Sequence, residues 1–267
     1  AAIGFWFAWL WKWGKRNYSC LSHPMDDFVL AFPVVYLVSA FQAANYGLAV
    51  DEVVKTTLYF IVYWLASRLV RNEEDITRIL HVIYISAIGV ALAGLATATG
   101  IIHINDGFLN GRIYSTFQYP NALASFLAAA AFIGFFLWLR TIMLEPEGTS
   151  GGTKTKDVSA WLNIDRLNQY LYTVGNFLLL TVFLGTKSQG GLLVFLIAFI
   201  LFIIGAPKGF RLPLWLHFLK ISISSFIAIR LFLSGVTAGK MELAWLWILA
   251  GLVIVLIGQI LYSFGER

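Results

Sequence analysis

Long apolar blocks recur along this chain, and they limit its fold more than any other feature. They run approximately over 1–11, 28–46, 53–70, 79–100, 121–143, 168–186, 190–206, 213–233 and 242–263, nine in all. A hydrocarbon core about 30 Å thick needs about 20 apolar residues per helix. Tilt and local thinning accommodate blocks slightly shorter than that. The expected fold is all-α: a polytopic integral membrane helix bundle of about nine transmembrane segments, forming a single membrane domain over 1–267. Composition agrees, with 59% hydrophobic residues, 12% charged residues and a mean hydropathy of +0.78, where soluble domains carry about 25% charged residues. A transmembrane β-barrel would need alternating strands of about 10 residues; these blocks do not alternate.

The basic residues orient the bundle. Loops 12–27, 71–78, 144–167 and 207–212, with the tail 264–267, hold eleven Lys and Arg, whereas the alternate connections hold three: Arg112, Lys187 and Lys240. Cytoplasmic loops are the Lys- and Arg-rich ones, so the first group is expected inside and the second outside. The net charge of +5 therefore reflects membrane orientation, not nucleic-acid binding. One cysteine, Cys20, can form no intramolecular disulfide, and no metal-type cysteine spacing exists. The opening "AAIGFWFAWLWKWGKR" has its basic residues after the apolar run, the reverse of a signal peptide. It reads as the end of a truncated transmembrane helix. The loop at about 145–167 is rich in Gly, Ser, Thr and charge and reads as a flexible cytoplasmic connection; Trp161, Leu162 and Leu167 suit the membrane surface. No internal repeat of the kind built into many transporters is present.

Three polar features interrupt the apolar pattern. The longest external loop, "IIHINDGFLNGRIYSTFQYP" (101–120), contains His103, Asp106 and Arg112. It reads either as a solvated hairpin with turns at Asp106-Gly107 and Asn110-Gly111, or as an anion site. In the second reading Arg112 grips phosphate with its planar fork beside the N-terminus of the next helix. Asn121, after Pro120, is the expected N-cap of that helix. The second feature is "LGTKSQGGLL" (184–193). It is either a tight turn whose Gly190 and Gly191 permit close packing, or a place where Lys187 and the Ser188 hydroxyl add phosphate donors. The third is His217, Lys220 and Ser224, spaced three and four apart and so on one helix face; Lys220 is expected to snorkel toward the cytoplasmic end. No P-loop, HExxH or metal-spaced His and carboxylate cluster occurs, and no Asp or Glu falls in mid-span, as a proton-coupled carrier would need.

The segment "GRIYSTFQYPNALASFL" (111–127) resembles the signature of the O-antigen ligase and Wzy-type polymerase superfamily, O-antigen ligase-like membrane proteins. Gly111, Arg112, Thr116, Phe117, Pro120, Asn121 and Ala124 match it. The preceding "ISAIGVALAGLATATG" is similar to the small, apolar helix usual before that signature. "LGTKSQGGLLVFLIAFILFII" resembles the family's second stretch, typically Thr-x-Ser-Arg-Gly, through Thr186, Ser188 and Gly190. The resemblance covers about 79–206. It departs at Gln189, where the family's usual arginine falls, and in lacking a large external loop with catalytic His or Arg. Segment 234–241 has no His, while His23, His81 and His217 fall on or near the cytoplasmic side and His103 lies outside the motif.

The resemblance implies a glycosyltransferase acting outside a bacterial-type plasma membrane. A glycan on an undecaprenyl-diphosphate-like lipid is the donor, and a glycan, lipid or protein hydroxyl is the acceptor. Arg112, with Lys187 and Ser188 secondary, would hold the departing diphosphate; Gly111, Thr116, Pro120, Asn121, Gln189 and Gly190 would shape the motif. No metal or other cofactor is implied, and the base that activates the acceptor is expected beyond this chain. The competing expectations are a lipid-linked glycan flippase or carrier, hinted at by Lys220 and Arg230, and a catalytically inactive family member, kept open by Gln189.

Overall fold

The computed structural model describes residues 24–70, 72–117, 119–143 and 164–265. The first apolar block, Cys20, Trp161, Leu162 and most of the loop at 145–167 lie outside them. The chain divides into two compact units, 1–78 and 79–267. Every signature-like residue lies in the second.

In the first unit, α1 (Pro24–Ala40) packs against α2 (Tyr46–Leu69). Asp26 is fully buried on α1 and accepts hydrogen bonds from Arg68 Nη2 at 2.6 Å and Tyr63 Oη at 3.2 Å. An ion pair with a second donor is the arrangement a buried carboxylate requires. The helix boundary differs from the expected one. Asn45 caps α2, its side chain accepting from Leu48 N at 3.3 Å. That cap starts the helix at Tyr46 and adds Asp51 and Glu52 to the expected 53–70 segment, Glu52 pairing with Lys55 three residues on.

The second unit begins within α3 (Glu73–Ala98). A short hairpin follows, β1 (Phe108–Leu109) and β2 (Arg112–Ile113), then a 3₁₀ turn at Ser115–Phe117. Next come α4 (Pro120–Met143), α5 (Ile164–Gly185), α6 (Gln189–Gly205), a 3₁₀ turn at Lys208–Phe210, α7 (Arg211–Thr237) and α8 (Met241–Gly265). Helix α5 is the hub, packing against α4, α7, α8 and β2. Its Phe177, Leu179 and Val182 are fully buried. The outward faces of α7 and α8, by contrast, expose Leu216, Ile223, Leu249 and Leu261. Apolar side chains turned outward on long helices are what a lipid solvent permits.

Five helices are long and apolar enough to cross a membrane: α3, α4, α5, α7 and α8. The expectation of nine spans is corrected to five among the described residues. Helix α1 has 17 residues with Asp26 and Asp27 in its first turn and Pro33 inside. Helix α2 has length but carries four charged side chains, Asp51, Glu52, Lys55 and Arg68. Helix α6 is apolar throughout but has only 17 residues, about 25 Å at 1.5 Å per residue.

The connections sort to the two ends of the second unit. Trp245 Nε1, in the first turn of α8, donates to Thr99 Oγ1 at 3.3 Å, just past α3. Arg112 of the hairpin reaches Thr186, just past α5. Residues 99–117, 186–188 and 238–240 therefore share one end. Near the other, Arg211 donates to the carbonyls of Ile204 and Ala206 at 2.6 and 3.0 Å, satisfying oxygens that the end of α6 leaves unpaired.

Candidate functional site at the hairpin end

The hairpin is built from its turn. Leu109 pairs with Arg112 and Phe108 with Ile113, leaving Asn110 and Gly111 as a two-residue loop. Their φ values are +52° and +67°. Positive φ at both positions defines the type I′ turn for which Asn-Gly is the preferred sequence. The expected turn at Asn110-Gly111 is therefore present, in a two-stranded β-ribbon that is the only sheet among the described residues.

Ile113 fixes that ribbon to the bundle. It is fully buried and sits where a Cβ on Gly94 of α3 or on Gly185 of α5 would come within 2.8 Å of it. Ser115, also fully buried with a φ of +53°, donates to the carbonyl of Val90 on α3 at 2.7 Å. Nothing in the apolar pattern singles out either residue.

With Ile113 seated, Arg112 points the other way, since strand side chains alternate. Its Nε donates to the carbonyl of Thr186 at 2.8 Å. Thr186 is itself buried, and its hydroxyl donates to the Phe183 carbonyl at 2.7 Å. Arg112 is half-buried. A guanidinium has five N–H donors, and among the described residues both terminal nitrogens of Arg112 are left without a partner.

The turn after α5 brings the second motif to the same place. Lys187 has a φ of +51°, and its Nζ lies 3.4 Å from the position a Cβ would take on Gly111. Ser188 is the N-cap of α6, accepting from Gly191 N at 3.2 Å. Its hydroxyl hydrogen can still be donated. Gly191 lies close to α4, a Cβ there meeting Ala124 at 3.2 Å, whereas Gly190 faces open space. The motif's Ala124 thus permits the approach of α4 and α6. Lys187, Gln189 and Gly190 are exposed.

Asn121 departs from its expected role. Helix α4 begins at Pro120, and Leu123 N donates to the Tyr119 carbonyl at 3.1 Å. Pro120 therefore takes the first helical position, where a missing N–H costs nothing and the fixed φ helps. Tyr119 is the cap, and Asn121 lies one position inside the helix, exposed, its Nδ2 donating to Tyr119 Oη at 3.2 Å. Asn121 and Ser188 instead line the two sides of a groove of about 500 Å³ between α4 and α6. Thr116 is exposed, and Phe117 packs on Phe126 with ring centroids 5.1 Å apart.

The other polar residues lie elsewhere. His103 and Asp106 line a cavity of about 570 Å³ formed by the 97–109 segment, which does not include Arg112 or Lys187. His217 and Ser224 are buried on one face of α7, as their spacing predicts, and His217 stacks on Trp138 at 3.7 Å. Lys220 does not snorkel outward. Its ammonium bonds the side-chain oxygen of Gln259 on α8 and lies 5.5 Å from the Tyr262 ring. A polar acceptor at that depth offers the charge a closer partner than the membrane surface. His81 bonds Tyr172 Oη at 2.6 Å. Among the described residues no group of three His, Cys, Asp or Glu gathers to hold a metal ion.

A second groove, of about 410 Å³, lies on the other side of the α6 N-terminus between α5, α6 and α7. Lys187, Ser188 and Gln189 line it, and so does Arg230 from α7. In the sequence Arg230 hints, with Lys220, at a flippase or carrier, and no motif connects it to the 184–193 stretch. Comparison with known proteins gives no match: no family model, no curated protein and no solved structure corresponds to this chain.

Proposed function

We propose that this chain is a membrane glycosyltransferase of the O-antigen ligase and polymerase type, residing in a bacterial-type plasma membrane with the hairpin end outside. It takes a glycan from an undecaprenyl-diphosphate-like lipid and passes it to a glycan, lipid or protein hydroxyl. The acceptor oxygen bonds to the anomeric carbon as the bond from that carbon to the diphosphate breaks. The diphosphate leaves with the bonding electrons, and the hydroxyl proton passes to a base. Negative charge grows on the leaving group, and cations fixed nearby lower the barrier most where that charge develops.

The observation that carries the reading is the Arg112–Thr186 hydrogen bond. It ties the Gly-Arg hairpin to the Thr-Lys-Ser turn, leaving the Arg112 terminal nitrogens, the Lys187 ammonium and the first turn of α6 at one end of the bundle. A guanidinium fork, an ammonium and a helix N-terminus are three independent ways of holding phosphate. The eleven-to-three bias of basic residues supports an external location for that end.

The test is glycan transfer by the complete protein carrying Arg112→Ala. Transfer is lost and the lipid-linked donor accumulates on the external leaflet. Unchanged transfer would remove Arg112 from the site, and accumulation on the cytoplasmic leaflet would identify a flippase instead.

A further inference from the structure

Arg230 occupies an unusual position for a charge. It lies seven residues before the end of α7 at Thr237, about 10 Å along the helix, on a span apolar enough to cross a membrane. It is exposed, and so are Ile223, Phe226 and Ile227 on the preceding two turns. Among the described residues no carboxylate or other side chain pairs with Arg230. The same holds for Lys187. An arginine on a lipid-facing surface is costly unless an anion meets it, and here two such cations line one groove.

That groove continues as a trough. Phe183, Leu184, Leu192 and Phe226 line both the cationic groove and an adjoining one of about 550 Å³. The second is apolar except for Ser222 and reaches Phe218. From Leu233 to Phe218 the combined cleft follows α7 for fifteen residues, about 22 Å. Its mouth is cationic and its length is hydrocarbon-like, which is the charge distribution of a lipid phosphate reversed.

We infer that the α5–α6–α7 cleft binds the donor lipid itself, with Lys187 and Arg230 on the diphosphate and the polyprenyl chain along the trough from Leu192 to Phe218. Naming the occupant as the donor rests on the glycosyl-transfer reading above. The inference also gives Gln189 a physical context. Gln189 is neutral, and it lines the same groove as the Arg230 guanidinium from α7.

The experiment is binding of radiolabelled undecaprenyl diphosphate to the full chain in phosphatidylcholine nanodiscs. Arg230→Gln and the trough-filling Ile223→Trp each weaken binding about tenfold, roughly the value of one charge-assisted hydrogen bond. Leu249→Trp, on the exposed face of α8, leaves binding unchanged, and inorganic pyrophosphate competes poorly. Wild-type affinity in Arg230→Gln, equal binding of pyrophosphate, or full displacement by equimolar phosphatidylglycerol overturns the inference. Loss of binding in both cleft variants, with no glycan transfer by the wild-type complete protein, would separate the two ideas: the lipid-diphosphate cleft stands, and the transfer reading falls.

Discussion

Arg112 and Thr186 stand 74 residues apart and are joined by a 2.8 Å hydrogen bond from the guanidinium Nε to a main-chain carbonyl. A bond through Nε fixes the plane of the guanidinium and leaves the N–H donors of its two terminal nitrogens for another acceptor. A lysine cannot do this, because its charge sits on one freely rotating atom. Arg112→Lys is therefore expected to keep most of the thermal stability but lose at least about tenfold in glycan transfer, since one charge-assisted bond is worth about 1.5–3 kcal/mol. Transfer rates and unfolding midpoints measured side by side check this.

Ile113 should matter as much as Arg112 without touching any substrate. It is the buried wedge between Gly94 and Gly185. Ile113→Ala removes its packing and leaves a cavity, a change that costs about 2–5 kcal/mol in protein cores. The expected result is a lower unfolding midpoint in detergent together with reduced binding of the lipid diphosphate, because the hairpin loses its seat.

The two motif glycines should respond differently. Gly111 has a φ of +67° and lies under the Lys187 ammonium, so Gly111→Val forces a branched side chain into the left-handed region at about 1–2 kcal/mol. Gly190 has open space around its Cβ position and lies inside a helix, where alanine is favoured over glycine by about 1 kcal/mol. Gly190→Ala should be neutral or stabilising, and Gly111→Val should impair both stability and transfer. Thermal unfolding of the two variants distinguishes them.

Ser188 combines capping with a hydroxyl that can still donate. Ser188→Ala removes the cap on Gly191 at about 1 kcal/mol. Ser188→Asp keeps a capping oxygen but sets a negative charge beside the phosphate. If the groove holds an anion, Ser188→Asp binds lipid diphosphate far more weakly than Ser188→Asn, although both cap the helix. Equal binding by the two would argue against an anion there.

Close packing around Tyr84 supplies a test of the bundle that is independent of the site. Its hydroxyl donates toward the Tyr172 carbonyl at 3.0 Å and Asn176 Oδ1 at 3.1 Å. A Cβ on Gly134 would come within 2.0 Å of Asn176 Oδ1 and 2.4 Å of the Tyr84 ring. Gly134→Ala should cost about 1–3 kcal/mol through overpacking, read as a lower unfolding midpoint.

Much of the helical architecture is legible in the apolar blocks, because a span must carry its own hydrophobicity. The block at 1–11 lies outside the described residues, and the other three blocks that fall short of a span do so for local reasons. Asn45 starts α2 early and brings charges into it, and α1 and α6 are 17 residues each. The Asn110-Gly111 turn is legible because its chemistry is local. Asn121 is not the cap because Pro120 itself takes the first helical position, one residue earlier. The long-range contacts were not legible. Arg112 bonds a backbone carbonyl, a group every residue has, and Ile113 is one isoleucine among many. Arg230 comes to line the groove beside Lys187 through helix rotation, which residue spacing alone leaves undetermined.

The central claim is that the hairpin and the α5–α6 turn form one diphosphate-holding site, with Arg112 and Lys187 acting on the same group. The most direct measurement is a double-mutant cycle on glycan transfer, comparing Arg112→Ala, Lys187→Ala and the double variant in the complete protein. Each single change should slow transfer, and the double should be well short of the product of the two effects, since residues acting as a unit are not additive. Multiplicative effects, or wild-type transfer in either single variant, would contradict the claim.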